Sequence, residues 1–138
     1  GIIEPLRGTG AQDGRLLTGA MANEESLGRH PGYTSLPYRP YTPAAEGRLA
    51  PGTGLVRFWR PGVANREGAF TAFAKDVEGL SFAEVQRKFA LPYLPTNRAY
   101  ADGSNARAVI GIAGRNFGMP GNGRQVELID RVHFTDAP

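Results

Sequence analysis

The stretch best suited to chemistry is Phe117-Gly118-Met119-Pro120-Gly121-Asn122-Gly123-Arg124-Gln125-Val126-Glu127, a glycine-rich loop that runs into a β-prone segment. Glycine lets backbone approach a ligand closely and adopt conformations closed to other residues. The loop therefore reads as the rim of a site, with Gly121 and Gly123 as its ligand-contacting backbone. An ordinary connection between strands is the plainer account of the same glycines. Side chains two apart on a strand share a face, so Gln125 and Glu127 present an amide and a carboxylate in one direction. Such groups can bind ribose hydroxyls and stabilise the oxocarbenium-like centre that forms when a bond at an anomeric carbon breaks. The run is not a dinucleotide fingerprint, which opens a helix, and it lacks the Lys-Ser/Thr ending of a Walker loop.

Composition narrows the chemistry further. The net charge of +3 comes almost wholly from Arg, because Lys75 and Lys88 are the only Lys residues. Arg suits bidentate phosphate contacts, so the bias favours a phosphate-bearing ligand, against the plainer alternative of Arg used for solubility. The absence of Cys removes disulfides, thiolate metal sites and Cys nucleophiles together. With His30 and His133 as the only histidines, the expectation is a site without metal and without a resident cofactor. No apolar run approaches the roughly 20 residues that cross a bilayer, so no membrane span is expected.

The elements that must position these groups are short. Nineteen Gly and eleven Pro among 138 residues predict many turns and short strands around a single core. Residues 1–50 show little periodicity and read as a loop-rich N-terminal region, with one helix possible over 16–27 in which Gly19 is a weak point. Residues 51–138 read as the catalytic core of one domain overall. Strands are expected over 54–60, where Arg57 sits among apolar neighbours, and over 69–74, 107–112 and 124–130, with a continuation at 132–134. Ser81-Phe82-Ala83-Glu84 matches a capping box, predicting a helix from there to Ala90 that buries Phe82, Val85 and Phe89. Residues 92–105 read as irregular. The expected fold is α+β: a compact, mostly antiparallel β core of short strands with one or two short helices.

With Gly111, the run Phe117-Gly118-x-Pro120-Gly121-x-Gly123-x-Gln125 resembles the closing motif of necrotizing-toxin-type (TNT) NAD glycohydrolases, which are C-terminal toxin domains of secreted bacterial proteins. Upstream, Pro51-Gly52-Thr53 with Val56-Arg57-Phe58 is similar to that family's first core strand. Gln86-Arg87 followed by Ala90-Leu91-Pro92 is similar to its Arg-x-Leu-Pro segment, and the likeness spans 51–130. It implies that Gln125 is catalytic and that Arg57 and Arg87 hold the dinucleotide phosphates. Gln125-Val126-Glu127 with a strand Arg also resembles the pattern of ADP-ribosyltransferases, which would make Glu127 catalytic. Ala90-Leu91-Pro92-Tyr93-Leu94-Pro95-Thr96 resembles a segment of contact-dependent inhibition and Rhs-type polymorphic toxins, some of which cleave tRNA.

Together these readings predict a toxin domain that hydrolyses NAD, with ADP-ribosyl transfer and tRNA cleavage as alternatives. Phe70 or Phe117 would stack on a ring of NAD while Gln125 or Glu127 orients the nicotinamide ribose for attack by water. A cognate immunity protein is the expected partner. Residues 1–6 lack a signal-peptide pattern and the chain opens on Gly1 rather than Met, which predicts a piece of a larger secreted effector that acts in the target-cell cytoplasm.

Overall fold

The computed structural model describes residues 4–137. In chain order they form β1 (Gln12–Leu17), α1 (Gly19–Arg29), β2 (Ala44–Arg48), β3 (Gly54–Trp59), β4 (Phe70–Phe73), α2 (Ala74–Val77), α3 (Phe82–Phe89), β5 (Asn97–Asp102), β6 (Arg107–Ile112), β7 (Arg124–Leu128) and β8 (Thr135–Asp136). The strands make one eight-stranded sheet in the order β1-β2-β6-β7-β4-β3-β5-β8, and every pairing is antiparallel. The fold is therefore α+β with a mostly β core, as expected.

The β-branched and aromatic runs form strands where the sequence places them. The capping box also forms: the Glu84 amide donates to Ser81 Oγ and the Ser81 amide to Glu84 Oε1, each at 3.1 Å. Helix α3 ends as Ala90 turns left-handed at φ 51°. Residues 12–48 depart from expectation, because β1 and β2 pair with each other and β2 pairs with β6. The sheet thus runs across residue 50. Leu16 and Leu17 belong to β1 rather than to a helix, and α1 starts after Thr18, whose side chain accepts from the Met21 amide. Gly19 is its first residue, where a Cβ would stand 1.7 Å from the Arg39 carbonyl oxygen, so glycine is required by the close approach of the 39–42 turn. Residues 97–102 form a strand rather than an irregular segment, and the last strand lies at 135–136 instead of 132–134.

Register decides what each face buries. The pairs Leu55↔Phe73, Ile110↔Val126 and Ala108↔Leu128 stand on one face, where they join Leu49, Ala99 and Phe134 in the main cluster. The other face carries two smaller clusters. Ala22 of α1 packs with Tyr38 and Val109; Val85 of α3 packs with Val56, Phe58 and Ala72. Val85 is fully buried, which at about 1.5–3 kcal/mol for such a side chain is a large share of what holds α3 down. Between the two helices the sheet offers the start of β4 and the length of β7, and Gln125 and Glu127 lie there.

Candidate functional site

A cleft of about 710 Å³ opens over this gap, lined among others by Tyr33, Arg57, Phe70, Tyr93, Phe117 and Gln125. Gln125 is buried at 5% exposure. Its Nε2 donates to the Pro37 carbonyl oxygen at 2.8 Å. A carbonyl can only accept, so this bond fixes which way the amide is turned. Among the described residues no donor reaches Gln125 Oε1, which remains an oriented acceptor in the lining of the cleft.

Aromatic rings form one wall. His30 stacks on Tyr33 at 4.9 Å between centroids and lies 5.4 Å from Phe70, with Tyr33 and Phe70 6.3 Å apart. Phe117, half-exposed and left-handed at φ 55°, stands on the loop side. Tyr93 donates its hydroxyl to the Phe58 carbonyl at 2.8 Å, and burial raises its pKa above the ordinary tyrosine value. Arg57 lies where β3 runs past the start of β4, since β4 pairs only with Leu55 and Val56. Its Nε donates to the Asn65 carbonyl and its Nη1 to the Phe70 carbonyl, each at 3.0 Å. Gly68 leaves room for that guanidinium: a Cβ there would stand 2.4 Å from Arg57 Cζ. Exposed Glu67 also borders the cleft and pairs with His133 Nδ1 at 3.2 Å.

Glu127 differs from the expectation for a catalytic carboxylate. It has no exposure and does not line the cleft. Tyr38 donates its hydroxyl to Oε1 at 2.8 Å. Oε2 takes Ser26 Oγ at 3.1 Å, Arg29 Nε at 3.1 Å and His30 Nε2 at 2.8 Å. A buried carboxylate needs such compensation, because an unpaired charge there would cost several kcal/mol. Burial, then the Glu127 charge, then the bond to it push the Tyr38 pKa well above the ordinary value, so Tyr38 stays a donor. For Arg29, burial pulls downward, but the bond and charge of Glu127 outweigh it and raise the pKa.

The remaining candidates divide. Arg87 is exposed on α3 and is not among the cleft's lining residues. The backbone amides of Gly121 and Gly123 are spent on α3, donating to the carbonyls of Arg87 at 3.0 Å and Lys88 at 2.9 Å. A Cβ at Gly121 would stand 2.5 Å from the Gly114 carbonyl oxygen, and one at Gly123 2.7 Å from Lys88 Cγ. These glycines dock the loop on the helix rather than on a ligand. Sequence reasoning missed the N-terminal contribution of Ser26, Arg29, His30, Tyr33 and Tyr38. One signal was available: Ser26, Arg29 and His30 fall at i, i+3 and i+4, the spacing that shares a helix face.

No family model and no curated protein matches the chain. Among the described residues no group of three or more His, Cys, Asp or Glu is placed to hold a metal ion, and no helix is long and apolar enough to cross a membrane.

Proposed function

We propose that this chain is the toxic domain of a secreted bacterial effector and that it hydrolyses the nicotinamide N-glycosidic bond of NAD in the target-cell cytoplasm. The observation that carries the reading is the Gln125 amide, locked by Pro37 with Oε1 free in a cleft walled by aromatic rings. A free, oriented acceptor binds a ribose hydroxyl and holds the anomeric carbon in place, which removes orientational entropy from the reaction. Phe70, Tyr33 or Phe117 stacks on the nicotinamide or adenine ring. Arg57 meets the pyrophosphate through charge-assisted bonds.

In the reaction the bond from the ribose C1′ to the pyridinium nitrogen breaks and its electron pair leaves with neutral nicotinamide. Water attacks C1′, a proton is released, and ADP-ribose is the second product. Gln125 acts most strongly when positive charge develops on the ribose, where a preoriented dipole needs no reorganisation. ADP-ribosyl transfer loses support because Glu127, on the same sheet face as Gln125, is covered by its four donors Ser26, Arg29, His30 and Tyr38. A producing cell then needs an immunity protein that covers this cleft.

Purified protein incubated with NAD should release nicotinamide and ADP-ribose in equal amounts while leaving tRNA intact. Cleaved tRNA with NAD untouched would replace this reading by the ribonuclease one. Label from NAD retained on protein would replace it by transfer.

A further inference from the structure

A second compartment of about 430 Å³ adjoins the cleft and shares Thr34, Ser35 and Asn116 with it. It is also lined by Arg39 and Arg115 and by no carboxylate. Among the described residues five arginines pair with carboxylates: Arg15 with Glu25 and Glu46, Arg29 with Glu127, Arg66 with Asp136, Arg107 with Glu46 and Arg124 with Asp76. Arg39 and Arg115 do not; among the described residues neither has an acidic partner. Arg39 Nη2 donates to the Pro120 carbonyl at 3.2 Å, while its Nε is buried without any acceptor.

We infer that the Arg39 and Arg115 compartment is an anion subsite that takes a phosphoryl group of the nucleotide bound in the main cleft. Two unneutralised guanidiniums present forked donors that match a phosphate's oxygens. Thr34 and Ser35 line both spaces and stand at the passage between them. The assignment rests on the nucleotide reading of the cleft and gives it the second cation that Arg87 does not provide. The phosphoryl group comes from the pyrophosphate or from a phosphate on a ribose.

Calorimetric titration separates these. ADP and adenosine 2′,5′-bisphosphate are titrated into the wild type, the Arg39→Gln/Arg115→Gln double variant, and Arg48→Gln as a control for lost charge. The double variant should bind at least tenfold more weakly, with the control within twofold and the heteronuclear NMR spectra native. Weakening for ADP assigns the pyrophosphate; weakening for the bisphosphate alone assigns a ribose phosphate. Equal affinity of wild type and double variant for both probes, or no binding of either to the wild type, overturns the subsite. Arginine-dependent binding in a protein that releases no nicotinamide would keep the subsite and remove NAD hydrolysis.

Discussion

Replacing Tyr38 by Phe removes one hydroxyl and tests whether Glu127 is a structural hub. Tyr38 is 1% exposed and its bond to Glu127 Oε1 is 2.8 Å long. A hydrogen bond to a charged group is worth about 1.5–3 kcal/mol. With an unfolding entropy of about 2.1 cal/mol/K per residue, 138 residues give ~0.3 kcal/mol/K, so Tm should fall by about 5–10 °C. The pH dependence supplies a second reading. Because the folded pKa of Tyr38 is raised, its contribution is fully present below the unfolded value of about 10. Above that the unfolded chain releases a proton that the folded chain keeps, and stability falls by about 1.4 kcal/mol per pH unit until the folded pKa is reached. Tyr93, also raised by burial, keeps its own share in both proteins. Urea midpoints at pH 8, 10 and 11 should therefore show a gap between wild type and Tyr38→Phe that narrows as pH rises. A Tm within about 2 °C of wild type, or a gap independent of pH, would refute the argument.

Gly68→Ala forces a Cβ against Arg57 and should act like Arg57→Gln. KM for NAD should rise about tenfold with kcat little changed, as for a contact that binds ground and transition states alike, and the double variant should be no worse than either single one. Glu46 accepts from Arg15 at 3.0 Å and Arg107 at 2.5 Å. Burial pushes its pKa up, but those two bonds outweigh it and leave it lowered. Its stabilisation is thus present above the unfolded carboxyl value of about 4.3 and lost as pH falls through the lower folded value. Glu46→Gln should cost about 1 kcal/mol at pH 7, given the solvent screening of its half-exposed partners, and the Tm difference should shrink as pH falls below the unfolded carboxyl value.

Much of the core was legible because its strands carry their own signal. Val56 and Phe58, Val109 and Ile110, and Val126 and Leu128 are apolar, β-prone and bounded by turns. Strand β5 was not: Asn97-Arg98-Ala99-Tyr100-Ala101-Asp102 has little apolar pattern, and only Ala99 is fully buried. Arg98 instead covers the ring of Phe82 at 4.5 Å, a contact that residue type alone does not announce. Strands β1 and β2, with Gly14 and Gly47 inside them, are held by backbone pairing at one side of the sheet, so their sequences stay weakly apolar. At the site, Arg57, Phe70, Phe117 and Gln125 line the cleft as read. Strand alternation correctly placed Gln125 and Glu127 on one face, but not the four donors that cover Glu127. Ser26, Arg29 and His30 are separated from it by 101, 98 and 97 positions. The glycines were read for their freedom near a ligand, whereas the lack of a Cβ lets Gly123 pack closely on α3 and Gly121 on the backbone of Ala113 and Gly114.

The central claim, that Gln125 orients the ribose of NAD while its nicotinamide bond breaks, is tested most directly by the rate of nicotinamide release at saturating NAD in Gln125→Ala. Loss of one preoriented polar contact to the transition state predicts a fall in kcat of about 10²–10³ with a native spectrum. Release at the wild-type rate would contradict the account.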